Sequence, residues 1–258
     1  MEHLSAAAPW TTHIVQSPLL LAFMVTTFVA SGMVKGTLGV GLPLLAVPML
    51  SLVVPPPIAI SLLAVPVLAS NLWQAVDSYT PGTDLKRFVP LVAALLLSTL
   101  ITVRLALALP TEVLSILVAA AVLVAVALMS FKPRRVVPPA HEKGVGAVVG
   151  ALAGAMGGVS SMTGPFIITY LMALRLSREQ FIGSVSVIYL FGVIPLYASM
   201  AAYGRLGLGE VAVSLAALLP MAAGMAIGKR LRHRLSEAAF RRVLLAFLVV
   251  IAVLLIVK

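Results

Sequence analysis

Long apolar segments separated by short polar loops run along almost the whole chain. A helix that crosses a bilayer needs about 20 apolar residues. Two apolar segments, 18–53 and 144–174, are too long for one ordinary span, and each is interrupted by a glycine-rich turn. Six others have about the required length: 57–77, 88–108, 113–131, 180–203, 209–228 and 239–257. The pattern predicts an all-α polytopic membrane protein.

The two interrupted segments predict re-entrant helical hairpins. The arms that follow the turns, 42–53 and 165–175, hold only 12 and 11 residues. At a rise of 1.5 Å per residue such an arm covers roughly 17 Å, about half of the hydrocarbon core. A hairpin that enters and returns on one side fits these lengths better than two full crossings.

The distribution of basic residues favours the same topology. With re-entrant hairpins, 14 of the 18 Lys and Arg residues lie in loops that face one compartment, namely 78–87, 132–143, 175–179 and 229–242. Cytoplasmic loops carry an excess of Lys and Arg. We therefore expect a multi-pass protein of a bacterial-type inner (plasma) membrane. Both termini, including the N-terminal segment 1–17, are expected outside.

This topology predicts an inverted repeat. The first repeat is 18–131, with its hairpin at 18–53, and the second is 144–258, with its hairpin at 144–174. The basic cytoplasmic loop 132–143 joins them. Each repeat has one hairpin and three full spans, and an odd number of spans reverses the orientation of the second repeat. The hairpin tips should then meet near the membrane midplane.

Composition agrees with a lipid environment and narrows the partners. The chain is 61% hydrophobic and 10% charged, whereas a soluble domain is roughly one quarter charged. Its net charge of +10 comes mainly from loop residues, so we expect the lipid bilayer and a small anionic substrate as partners, and no nucleic acid. We also consider a homodimer.

The hairpin tips carry the candidate chemistry. Pro43 and Pro165 suit the first turn of a helix, so both short arms would direct their N-termini at the protein centre. Lys35 adds a positive charge at the first tip, and hydroxyl groups follow in the second. The candidate substrate-binding residues are Lys35, Gly36, Gly39, Gly41, Asn71, Gln74, Gly157, Gly158, Ser160, Ser161, Thr163, Gly164 and Tyr189.

Each candidate also has a structural interpretation. Gly32, Gly36, Gly150 and Gly154 have the spacing that lets helices pack closely. Lys35 could extend to an interface. Asn71 and Gln74 could form hydrogen bonds between helices, and Tyr189 could anchor packing.

The acidic residues argue against catalysis and cation transport. All eight Asp and Glu residues lie outside the apolar spans or at their ends, whereas cation transporters place carboxylates inside them. No metal-binding or nucleophile motif is visible. We expect no metal, no cofactor and no enzymatic activity.

The glycine–proline runs resemble those of the sulfite exporter TauE/SafE family, also called the toluene sulfonate uptake permease group. The resemblance covers about 18–257 and is carried by Gly36-Thr37-Leu38-Gly39-Val40-Gly41 through Pro48, by Gly157 through Leu171, and by Leu176-Ser177-Arg178-Glu179-Gln180-Phe181. The chain departs from the family pattern at Leu42 and Pro43, and again at Ser160, Ser161 and Met162. Membership implies transport of sulfite, sulfoacetate or other organosulfonates, and the departures could alter substrate choice.

The resulting hypothesis is a secondary transporter, an exporter of sulfite or an organosulfonate such as sulfoacetate, with the anion bound between the two glycine-rich tips. An inside-negative potential favours anion export by about 2.3 kcal/mol per charge at 100 mV. The alternatives are an anion channel of the same fold and, less favoured, a membrane enzyme that acts on a lipid phosphate.

Overall fold

The computed structural model describes residues 17–77, 85–130, 136–174, 176–232 and 236–258. The predicted N-terminal segment 1–17 lies outside these ranges except for its last residue, and the loop 132–143 lies outside them in part. Within the described ranges the chain is helical and contains no β-strand. The all-α architecture predicted from the sequence is confirmed.

Twelve α-helices occur in the described ranges. They are α1 (Pro18–Leu38), α2 (Leu42–Ser51), α3 (Pro56–Ser61), α4 (Ala64–Asp77), α5 (Val89–Leu107), α6 (Thr111–Ser130), α7 (Pro139–Ser160), α8 (Gly164–Met172), α9 (Arg178–Ala202), α10 (Leu208–Ala216), α11 (Leu218–Leu231) and α12 (Glu237–Val257). A 3-10 turn at Leu85–Phe88 precedes α5.

Eight helical segments of the described ranges are long and apolar enough to cross a membrane. They are α1, α3 with α4, α5 with the turn before it, α6, α7, α9, α10 with α11, and α12. Their outer faces carry exposed apolar side chains, such as Leu105, Leu219 and Val243. A soluble protein rarely exposes so much contiguous apolar surface, so the chain is a multi-pass membrane protein.

Both interrupted segments fold as a long helix, a turn and a short helix. In the first half α1 has 21 residues and α2 has 10. In the second half α7 has 22 residues and α8 has 9. At 1.5 Å per residue the short helices cover roughly 15 Å, about half of a hydrocarbon core. Their re-entrant course through the membrane stays a prediction.

The span predicted at 57–77 is broken at Leu62 and Leu63, between α3 and α4. Pro66 explains the break, because proline lacks an N–H and its ring clashes with the carbonyl group four residues earlier. The N–H of Val65 donates instead to the hydroxyl of Ser214 in α10, at 2.9 Å.

The long helix of each hairpin packs along a helix of the other half: α1 along α11, and α7 along α5. Glycines make both approaches close. A β-carbon added at Gly32 would lie 2.2 Å from the carbonyl oxygen of Met221, and one added at Gly150 would lie 2.1 Å from that of Leu91. Gly36 and Gly154 make equivalent contacts one turn later, which confirms the packing interpretation of these four glycines.

Candidate functional site

One cavity forms where the turns of the two hairpins meet. It encloses about 510 Å³ of space that protein atoms do not fill, its opening included. Its wall includes the end of α1, both turns, and the first residues of α2 and α8. Side chains of α4, α6 and α9 complete it. Segments far apart in the sequence therefore line one cavity.

The first turn depends on left-handed backbone at two glycines. Gly39 ends α1 with φ 78°, and its N–H donates to the carbonyl oxygen of Lys35 at 2.7 Å. Gly41 precedes α2 with φ 99°. Glycine adopts positive φ at little cost because it lacks a β-carbon, so the chain reverses within three residues.

The second turn repeats the first of these two left-handed positions with a different residue, whereas Thr163, which precedes α8, has φ −77°. Ser161 ends α7 with φ 60°, and its N–H donates to the carbonyl oxygen of Gly157 at 2.7 Å. Ser161 thus occupies the position that Gly39 has in the first turn. By glycine spacing in the sequence, Gly157 of the second half corresponds to Gly39 of the first. By its place in the helix cap, Gly157 corresponds to Lys35, because α7 continues for one more helical turn before it ends.

Lys35 is the charged residue of the cavity. Its side chain is 5% exposed, and its ammonium group donates to Oδ1 of Asn71, which is 3% exposed. This bond joins α1 to α4 and confirms the predicted interhelical contact of Asn71. No described carboxylate pairs with Lys35, since the ion pair within the described ranges joins Arg87 and Glu142. The side chain points into the protein rather than to an interface.

Two helix N-termini open on the cavity. Neither α2 nor α8 has a side chain that caps its first turn, and the first N–H groups of a helix have no partner within it. Leu42 and Leu44 in α2, and Gly164 in α8, contribute such positions to the cavity wall. The N-terminal ends add partial positive charge and donors for an anion. Pro43 and Pro165 lie in the first turns, as predicted.

Tyr189 provides a further polar group. Its side chain is 8% exposed, and its hydroxyl has no hydrogen-bond partner among the described residues. The hydroxyl lies against the start of α8, where a β-carbon added at Gly164 would come within 2.5 Å of it. A buried hydroxyl without a partner is unfavourable, so a ligand oxygen at this place would relieve that cost.

The structure brings seven of the predicted residues to the cavity: Lys35, Gly41, Asn71, Ser161, Thr163, Gly164 and Tyr189. The other six lie outside its lining: Gly36, Gly39, Gln74, Gly157, Gly158 and Ser160. Gly36 packs against α11 and Gly158 packs against α5. The hydroxyl of Ser160 donates to the carbonyl oxygen of Met156 at 2.7 Å.

The apolar part of the lining was not identified from the sequence. It includes Val67, Met129, Ile168 and Val193. A helical spacing could have indicated two of them, because Val67 precedes Asn71 and Val193 follows Tyr189 by four residues, which places each pair on one helix face. Met129 comes from the end of α6, and its spacing gives no such indication.

Comparison with known proteins identifies the family of the chain. No curated protein and no solved structure matches the chain. The family model described as Sulfite exporter TauE/SafE matches residues 23–255, nearly the whole chain. The resemblance seen in the glycine–proline runs is thereby confirmed, and the chain belongs to the TauE/SafE sulfite exporter family.

Proposed function

We propose that this protein is a secondary transporter that exports a small sulfur-containing anion, either sulfite or an organosulfonate, and that the cavity between the two turns is its binding site. Transport of sulfur anions such as sulfite is the activity that the family suggests. The choice of this cavity rests on its own chemistry, which combines one positive charge and several hydrogen-bond donors with an apolar wall.

The observation that carries the proposal is the buried ammonium group of Lys35. Removing a charge from water costs several kcal/mol unless a partner of opposite charge offsets it. Asn71 supplies one neutral acceptor, and no described carboxylate supplies the opposite charge. An anion that enters the cavity would supply that charge and would also accept hydrogen bonds from the helix N-termini.

Alternating exposure of this cavity is the proposed mechanism. The packing supports two related units, because α1 with α11 and α7 with α5 repeat one arrangement across the halves. An inverted repeat in an inner membrane, with both termini outside, would place the turns between two such units. At about 31 Å, α1 has the length of a full span, so a tip at mid-depth requires α1 to tilt or to begin beyond the hydrocarbon.

An anion channel with the same cavity is the second candidate, and the homodimer stays a prediction. A lipid-phosphate enzyme is disfavoured because none of the described residues that line the cavity is a carboxylate or a histidine that could act as a general acid or base. In our proposal the protein binds and releases its anion without chemical change.

Counterflow in proteoliposomes tests the proposal. Vesicles loaded with unlabelled sulfite should take up labelled sulfite transiently and saturably, and sulfonates should compete. The Asn71→Asp variant tests the site, because it keeps the shape of the side chain and places a carboxylate beside Lys35. That variant should fold and lose exchange. Flux without saturation or counterflow would favour the channel, and equal exchange by the variant would refute this site.

A further inference from the structure

We infer that the cavity selects anions that carry one negative charge on an oxyanion head and an uncharged, partly apolar remainder. Short sulfonates fit both parts of this description and hydrogen sulfite fits its charge, whereas the sulfite dianion, sulfate and sulfoacetate carry a second charge. The inference rests on the proposed function and names the substrate class of that same site.

A single full charge is available to the ligand. Of the seventeen described residues that line the cavity, Lys35 is the one with a charged side chain. The backbone of Lys229, in α11, lies close to Gly36. The side chain of Lys229 is exposed and is not part of the lining. A dianion would therefore bring one negative charge into the cavity without a full positive partner.

The helix N-termini do not replace the missing cation. Each supplies about half a charge in the form of N–H dipoles, and its effect on a bound ion is much smaller than that of a full opposite charge. Both helices are short, with 10 and 9 residues. Two such ends orient one oxyanion head and leave a second charged group in an apolar setting.

The rest of the cavity suits an uncharged substituent. Val67, Met129, Ile168 and Val193 contribute apolar side chains from four helices. The hydroxyl of Tyr189, which lacks a partner among the described residues, offers one donor to an oxyanion oxygen. A small alkyl or amide group beside the head would contact this apolar wall, whereas a carboxylate there would lose its water without compensation.

A pair of ligands of matched size tests the charge rule. Sulfoacetamide and sulfoacetate have the same number of non-hydrogen atoms and differ by one charge. Their affinities are measured by calorimetry on the full-length protein in nanodiscs, with methanesulfonate and sulfate as a second pair. The monoanion of each pair should bind at least about tenfold more tightly, because the second charge is buried without a counterion. Equal or tighter binding of the dianions would overturn the inference and leave the proposed function standing.

A variant supplies an independent result. Met129→Lys adds a second cation to the lining and should shift the preference toward sulfoacetate, while Met172→Lys, at a half-exposed methionine outside the cavity, should not. An unchanged preference in a folded Met129→Lys protein would also overturn the inference. If none of the four anions binds and no counterflow occurs, the proposed function and this inference both fail.

Discussion

The two turns that form the cavity share the left-handed cap of the long helix and differ in chemistry. Both long helices end in a left-handed residue whose N–H donates to the carbonyl four residues earlier, at Gly39 in one half and Ser161 in the other. The carbonyl acceptors are Lys35 and Gly157. One half thus supplies a cation where the other supplies glycine.

This difference has a packing cause. A β-carbon at Gly157 would lie 2.4 Å from the methyl group of Thr163, so a side chain at the place that corresponds to Lys35 would displace Thr163. The second turn instead supplies neutral groups, including the hydroxyls of Ser161 and Thr163, and the hydroxyl of Tyr189 in α9 lies nearby. Each turn leads into a helix whose N-terminus borders the cavity. The side chains differ between the two halves, and the charged one in the described lining is Lys35.

The largest expected effect comes from removing that charge. Lys35→Met keeps the length of the side chain and should lower anion affinity by about 100-fold or more, since losing one partner of a buried charge pair costs about 3–5 kcal/mol. Lys229→Met, at an exposed lysine of α11, is the control and should bind normally. Calorimetry with methanesulfonate measures both. Normal affinity in a folded Lys35→Met protein would show that the first half does not supply the charge that binds the anion.

The packing glycines should behave alike in both halves. Gly32→Ala and Gly150→Ala would each force a methyl group against a carbonyl oxygen, which costs about 1–3 kcal/mol of unfolding free energy. Gly144→Ala, in α7 with no atom within 4 Å of the new methyl, should be neutral or stabilising by up to about 1 kcal/mol. Unfolding in detergent measures the three values. A large loss in only one half would contradict equivalent packing.

Tyr189→Phe separates ligand binding from stability. The hydroxyl has no partner among the described residues, so its removal should leave the free energy of unfolding unchanged or slightly higher. Anion affinity should fall by about tenfold, the effect of losing one hydrogen bond to a charged group. Tyr203→Phe is the control, since Tyr203 is exposed just after α9 and is not part of the lining. Unchanged affinity in Tyr189→Phe would remove this residue from the site.

The smallest effect concerns the left-handed positions themselves. Ser161→Gly should raise the unfolding free energy by about 1 kcal/mol, and Gly39→Ser should lower it by a similar amount, because only glycine adopts positive φ without strain. Thermal unfolding of the two variants measures both changes in unfolding free energy. Shifts of the same sign would mean that the two turns are not equivalent in backbone.

The sequence alone determined the class of protein and the place of its candidate chemistry. Long apolar segments, interrupted twice by glycine and proline, predicted an all-helical membrane protein, and the eight long apolar helices and the family match agree. Lys35, Asn71 and Tyr189 were identified as polar residues within apolar segments. These features follow from local composition, because a chain in lipid must satisfy its backbone within each helix.

Only the tertiary structure decided which candidates line one cavity. Gly36 and Gly41 belong to the same glycine run in the sequence. In the structure Gly36 packs against α11, whereas Gly41 lines the cavity. The bond from Lys35 to Asn71 and the apolar wall that includes Met129 also join distant segments. Sequence spacing fixes the neighbours of a residue on its own helix, whereas contacts between helices depend on how those helices pack. That packing decides whether a glycine contacts a neighbouring helix or borders the cavity.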